Sequence, residues 1–227
     1  GEMVVHVVAF QTRAQAVEER VALVGTLDAN EAVELKSEVD GPVHTVHFEE
    51  GQAVTAGEVL MEFDREKLIA NLASAVAELQ LAETRLARYQ RLVDGGAVSR
   101  QEFDEAVATH QTRAAAVRLA EENLRDATIR APFDGVIGER VVSPGQYVTR
   151  GTPLAWVVDL DPMKAEFQVP ERYLQELRPG QAVEVRVAAY PETAFTGEVT
   201  FVDPQVDETT RTVLVKAVLP NSDGKLR

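Results

Sequence analysis

One short passage of this chain is written twice. Gly51-Gln52-Ala53-Val54-Thr55-Ala56-Gly57 returns as Gly145-Gln146-Tyr147-Val148-Thr149-Arg150-Gly151. The match runs outward in register: Gly41 pairs with Gly135, Val43 with Ile137, and Leu60 with Leu154. Self-similarity of this kind constrains the fold before any local propensity does. Each copy reads as a glycine-opened strand, a Gly-Gln turn, a short Val-rich strand and a second glycine turn. Glycine supplies the positive φ that such turns need. One copy alone is too small to bury a core. Two copies predict a small β-sandwich made of interlocked halves.

Between the copies the hydrophobic period changes. Leu68, Leu72, Ala75, Leu79, Ala82, Leu86, Tyr89 and Val93 are spaced alternately four and three apart, a seam sustained over roughly four heptads. Asp94-Gly95-Gly96 stops that helix, and Ser99-Arg100-Gln101-Glu102 is a capping box opening the next. The second seam runs Phe103, Val107, His110, Ala114 and Val117, then drifts through Ala120 or Glu121 to Leu124. A short connection between two such helices predicts an antiparallel hairpin. Each arm is roughly 40 Å long at 1.5 Å per residue. It leaves one β-half after Asp64 and returns near Ile129, so it projects as a rod.

Strand patterns flank this unit. Val4–Phe10 and Val17–Leu27 precede it. Met163–Val169, Ala182–Ala188, Gly197–Val202 and Thr212–Leu219 follow it, with a short helix expected near Pro170–Leu174 and a turn at Pro179-Gly180. Short strands at this spacing predict a small antiparallel barrel completed by the strand around Val17–Leu27. The pattern breaks off at Lys225-Leu226-Arg227, as it would in a trimmed chain.

Composition narrows the chemistry. Net charge is -14, and no basic patch suited to phosphate is evident, so a nucleic-acid partner is not expected. The chain has 0 cysteines, which removes disulfides, thiolate chemistry and cysteine zinc sites. No apolar run approaches the roughly 20 residues of a membrane span. His44 and His47 stand three apart on an expected strand, pointing to opposite faces, so they read as strand histidines, and no metal site is expected. Met3, Met61 and Met163 are scattered. No nucleophile elbow, phosphate loop or dinucleotide fingerprint is present. Neither a catalytic residue nor a cofactor is expected.

The nesting of barrel, half-sandwich, hairpin, half-sandwich and barrel resembles the periplasmic adaptor subunits, or membrane fusion proteins of the HlyD-like family, of tripartite efflux pumps serving resistance-nodulation-division (RND) transporters. The resemblance covers nearly the whole chain. It implies an elongated, mainly β fold in which a split lipoyl-like β-sandwich is interrupted by a helical coiled-coil hairpin and joined to an antiparallel β-barrel. The expected boundaries are residues 17–34 and 160–227 for the barrel, 35–64 and 129–159 for the lipoyl-like halves, and 65–128 for the hairpin. Residues 1–16 are assigned to a remnant of a membrane-proximal domain.

The family's hairpin tip carries an Arg, a Leu, a Ser and an Asp at spacings matched here by Arg88, Leu92, Ser99 and Asp104. Tyr89 stands where the family usually has Leu. The stretch Val206-Asp207-Glu208-Thr209-Thr210-Arg211-Thr212 also resembles the family's barrel. The resemblance implies a non-enzymatic adaptor in the periplasm, associated with the inner membrane, its anchor or signal segment lying outside this chain. It implies three partners: an inner-membrane RND transporter, an outer-membrane channel bound at the hairpin tip, and further copies in a ring, expected to be a hexamer. The exported substrate would be a drug or other small toxic compound. An adaptor of an ATP-driven (ABC-type) exporter is the alternative within this class.

A biotinyl or lipoyl carrier is the alternative outside it. Such carriers bear a modified Lys on the turn joining the halves, which the hairpin replaces here. Lys67, on the first helical turn beside Glu66, reads as a solvated helix residue. Ser99 supports two compatible readings, a helix cap and a channel contact. Arg88 and Asp104 similarly fit either an ion pair within the hairpin or partner recognition.

Overall fold

The computed structural model describes Gln11, residues 20–93 and residues 95–227. The expected strand Val4–Phe10 and the first residues of Val17–Leu27 lie outside the described residues. The strands are β1 (Gly25–Asp28), β2 (Glu31–Lys36), β3 (Gly41–Val46), β4 (Ala53–Val54) and β5 (Val59–Phe63). Helices α1 (Glu66–Val93) and α2 (Arg100–Asp126) follow. The chain then runs through β6 (Thr128–Arg130), β7 (Gly135–Ile137), β8 (Tyr147–Val148) and β9 (Pro153–Asp159). Its last strands are β10 (Met163–Pro170), β11 (Ala182–Val187), β12 (Tyr190–Asp207) and β13 (Thr212–Leu219), with one 3₁₀ turn at Glu171–Tyr173.

The repeat is a pseudo-two-fold sandwich. Its sheets are ordered β2-β9-β7-β4 and β6-β5-β3-β8, and the repeat register maps one onto the other strand by strand. Each half completes its partner's sheet: β4 pairs with β7, and β8 with β3. The cross-bonds come in matched pairs. Gly51 N–H donates to Ile137 O at 2.9 Å, and Gly145 N–H to Val43 O at 2.8 Å. Asp134 Oδ1 accepts from Ala56 N–H, and Asp40 Oδ1 from Arg150 N–H, both at 2.7 Å. Between the sheets lies a core containing Val43, Leu60, Phe63, Ile137, Leu154 and Val157, all nearly inaccessible. Gly51, Gly57, Gly145 and Gly151 have φ between 81° and 86°, as the repeated turns require.

The boundary expected at residues 34/35 is corrected. β2 pairs with β9 along its whole length, from Glu31↔Asp159 to Lys36↔Pro153, so residues 31–34 belong to the sandwich. Leu35 is buried opposite Ala155, while Val33, opposite Val157, remains 37% exposed; the continuous ladder and the burial of Leu35 decide the strand's sheet.

The remaining strands form one five-stranded antiparallel sheet, β1-β10-β13-β12-β11. It curls enough for Leu27 of β1 and Val183, Val185 and Val187 of β11, at opposite edges, to pack on one cluster around Met163, Ala217 and Leu219. The strand expected over Val17–Leu27 is shorter, since residues 20–24 are irregular. The strand expected at Gly197–Val202 is the centre of the 18-residue β12. β12 is long because it serves two partners: its first part pairs with β11 and its second with β13. At Gly197 a Cβ would lie 2.5 Å from Val218 O, so only glycine fits where the two parts meet.

Candidate functional site

The hairpin springs directly from the sandwich ladder. Phe63 N–H donates to Ala127 O at 2.9 Å, between the end of β5 and the start of β6. Asp64 Oδ1 accepts from Glu66 N–H at 3.0 Å and so opens α1. Among the partly buried side chains packed on the sandwich core, Leu68 is the one from the hairpin. Beyond that base the helices hold each other. In α1, Leu68, Leu72, Ala75, Leu79, Ala82, Leu86, Tyr89 and Val93 are all at least half-buried and every other described residue is exposed, which is the seam read from the sequence. In α2, Ala106 is buried to 3% although the heptad reading passed over it. Ala120, rather than Glu121, continues the seam. Alanine carries too little apolar surface to mark a face in a pattern so rich in it. Glu78–Arg113 at 2.5 Å bridges the helices outside the seam, and the seam residue His110 reaches Glu83 of α1 at 3.8 Å.

Arg88, Leu92, Ser99 and Asp104 all lie exposed towards the end where α1 gives way to α2. Leu92 is 38% exposed, and its neighbours Tyr89 and Val93 turn inward. The turn is closed by Gly96, with φ of 71°, and by Ala97 N–H donating to Leu92 O at 3.0 Å. Ser99 caps α2 reciprocally with Glu102. Ser99 Oγ accepts from Glu102 N–H at 3.2 Å, while Ser99 N–H and Oγ–H donate to Glu102 Oε2 at 2.9 and 2.7 Å. The bond from the Ser99 amide, followed by that from its hydroxyl, holds the Glu102 carboxyl below the ordinary glutamate range. Among the described residues no ion pair joins Arg88 to Asp104; they stand as separate exposed charges. Tyr89 receives Arg85, whose guanidinium carbon lies 5.2 Å from the ring centroid and whose Nη2 donates to the phenol oxygen at 3.3 Å.

His44 and His47 are exposed, and His47 Nε2 lies 3.8 Å from Glu62 Oε2. Among the described residues no group of three or more His, Asp or Glu could hold a metal ion. No described helix is long and apolar enough to cross a membrane. Lys67 is exposed on the first turn of α1. Asp207 Oδ1 accepts from Thr209 and Thr210 N–H at 2.8 and 3.1 Å, which braces the β12–β13 turn and holds that carboxyl below the ordinary aspartate range, chiefly through Thr210.

Comparison with known proteins agrees with this architecture. Residues 31–160 match the barrel-sandwich hybrid domain of RND membrane fusion proteins, and residues 165–227 match the CusB-like β-barrel domain. The multidrug resistance protein MdtA of Cronobacter turicensis is 34% identical over 240 residues, covering 96% of this chain and 58% of the relative. MdtA of Klebsiella pneumoniae is 33% identical over 234 residues, covering 93% and 57%. This chain therefore spans a little over half the length of those relatives. Among solved structures, a MacA–MexA chimera carrying the Pseudomonas aeruginosa MexA α-hairpin aligns with a TM-score of 0.74 at 28% identity, covering 89% of this chain and 75% of the chimera. With a duplicated sandwich, a helical hairpin and a barrel in the same order, the chain belongs to the membrane fusion protein family, the adaptors of RND-type efflux pumps.

Proposed function

We propose that this chain is the sandwich, hairpin and barrel portion of a non-catalytic periplasmic adaptor, associated with the inner membrane. It joins an RND transporter there to an outer-membrane channel, several copies forming a ring, for export of drugs or other small toxic compounds. The relatives' name, multidrug resistance protein, supports the substrate class. In this reading Arg88, Leu92, Ser99 and Asp104 contact the channel. The observation that carries it is Leu92, exposed beside the turn while the seam residues on either side are covered. A rod held together by its own seam gains nothing from an outward leucine at its end, whereas an end-on protein contact does.

The test uses cells lacking their native adaptor, with drug susceptibility read alongside thermal melts of the purified variants. Arg88→Ala, Leu92→Ala and Ser99→Arg are expected to abolish export while leaving Tm nearly unchanged. Ser99→Ala is the control. It removes the cap, at about 1 kcal/mol, without adding bulk, and should still export. Full export by the first three variants would end the tip-docking reading.

A further inference from the structure

The hairpin tip is split between two helices. Arg88 and Leu92 belong to α1, Ser99 lies at the start of α2 and Asp104 within it, and the adjacent Gly95 and Gly96 stand between the two sides. Glycine leaves such a connection free to swivel. The bonds at the turn each serve one side. Ala97 N–H donates to Leu92 O at 3.0 Å and Gly96 N–H to Val93 O at 3.1 Å, which finishes α1. The Ser99–Glu102 box closes within the first turn of α2. Among the described residues, no ion pair or side-chain hydrogen bond joins residues 86–93 to residues 97–105. Apolar contact between half-buried seam residues such as Val93 and Phe103 remains, and it has no direction of its own.

A cation just below the tip supplies a directed link. The bonds from Ser99 lower the Glu102 carboxyl most, and the Arg85 guanidinium, on the other helix, lowers it further. An effect of that kind requires the two charges to lie near each other. Tyr89 sets where Arg85 goes. It is half-buried in the seam, four residues on from Arg85. The Arg85 guanidinium carbon lies 5.2 Å from its ring centroid, and Nη2 donates to its phenol oxygen at 3.3 Å. Lower on the rod Glu78 and Arg113 join the same two helices; Arg85 and Glu102 continue that bracing towards the tip with the signs exchanged. Arg91, closer to the turn, bends back on its own helix, Nε donating to Ala87 O at 3.2 Å.

We propose that Arg85 and Tyr89 are positioning residues for the docking tip. Tyr89 seats the Arg85 guanidinium, Arg85 draws Glu102 towards α1, and Glu102 holds Ser99. The α2 side of the tip is thereby set against Arg88 and Leu92, so that both sides meet one partner together. This rests on the tip-docking reading and adds two residues that act behind the contact. Tyr89 is turned inward, and Arg85 lies roughly 10 Å below Leu92 along α1 at 1.5 Å per residue.

The first half of the test needs no channel. Glu102 is followed by NMR through a pH titration of the purified protein, and the protection factor of the Ser99 amide is taken against its intrinsic exchange rate. Arg85→Ala should move the Glu102 titration up towards the ordinary glutamate range. It should also lower Ser99 protection roughly two- to fivefold, the scale of an exposed cation–π contact. Tyr89→Phe keeps the seam filled but removes the phenol acceptor, and should shift both readings the same way by less. Arg85→Lys keeps the charge and should restore most of the Glu102 titration. Arg91→Ala, which removes a nearby charge, should move neither reading. Glu102→Gln retains a capping side chain without the charge, and in that background Arg85→Ala should have no further effect on Ser99 protection. A Glu102 titration unmoved by Arg85→Ala, or moved equally by Arg91→Ala, would overturn the brace. A silent Tyr89→Phe would reduce Tyr89 to a seam filler and overturn its part.

The second half is drug susceptibility in cells lacking their native adaptor, with circular dichroism melts showing that each variant is folded. Arg85→Ala should weaken export and Arg85→Lys should keep it. If Arg85→Ala alone exports fully, the positioning role is wrong and tip docking stands. If Arg88→Ala, Leu92→Ala and Ser99→Arg also export fully, the tip-docking reading has failed and the positioning role falls with it.

Discussion

The Gly-Gln turn is used three times. Gly51, Gly145 and Gly180 have φ of 81°, 83° and 91°. The following glutamine each time reaches back to an amide three residues earlier: Gln52 Oε1 to Glu49 N–H, Gln146 Oε1 to Ser143 N–H, and Gln181 Oε1 to Arg178 N–H, at 2.8 to 3.0 Å. The third copy, Gly180-Gln181-Ala182-Val183, stands outside the long repeat because the register around it belongs to the barrel, although Gly-Gln-Ala-Val is repeated letter for letter from Gly51. Glycine matters here for different reasons at different sites. An added Cβ at Gly145 meets nothing within 4 Å, so Gly145→Ala should lose only the backbone term, about 1–2 kcal/mol. At Gly135 the Cβ would lie 2.5 Å from Val158 O, so Gly135→Ala must also distort the β7–β9 ladder and should melt lower than Gly145→Ala; equal losses in thermal melts would refute the distinction. The Ser99–Glu102 cap adds a pH dependence. A carboxyl whose folded pKa is depressed stabilises the fold above its unfolded pKa, and that contribution is lost as pH falls through the folded value. The protection factors of the Ser99 and Glu102 amides, taken against the intrinsic exchange rate at each pH, should therefore fall on acidification below the ordinary glutamate range, and Ser99→Ala should return the Glu102 titration towards that range.

Among the elements, α1 was the most legible, because heptad spacing and burial report the same physical fact. Legibility failed where side chains are small or strands serve two partners. Ala106 is buried without any pattern to announce it, and β12 runs through Pro191, Glu192 and Thr196, which composition alone would give to a loop. The tip residues were readable only by resemblance to a family. What the structure adds is that Arg88, Leu92, Ser99 and Asp104 are exposed, and that Arg88 and Asp104 do not pair. The seam gives an element-scale prediction. Leu79 sits mid-helix but is only half-buried, so Leu79→Ala should destabilise the hairpin by about 1–2 kcal/mol, below the range for a fully buried leucine. Hydrogen exchange should quicken along α1 and α2 and stay unchanged in β13. A uniform rise would show that the rod is not an independent unit.

At the scale of the molecule, the hairpin is an insertion into a sandwich that does not need it. Every matched cross-bond of the pseudo-two-fold joins β-strands or their turns, and among the described residues packed on the core only Leu68 comes from the helices. The two insertion ends are already adjacent, since Glu62 pairs with Thr128 in the ladder and Phe63 N–H meets Ala127 O. Replacing Asp64 to Asp126 by Asn-Gly would leave a two-residue loop between Phe63 and Ala127 and turn β5 and β6 into an ordinary hairpin, because that dipeptide favours the type I′ turn matched to strand twist. Thr128 must stay, as it carries the ladder. We expect the shortened protein to keep its β-sheet circular dichroism and a cooperative melt, losing chiefly the contribution of Leu68, about 1–2 kcal/mol for a partly buried leucine. Export should be abolished, because the docking tip is gone. A shortened protein that lost its cooperative melt would show that the hairpin helps to hold the two halves together, and the pseudo-two-fold would then be insufficient to specify the sandwich.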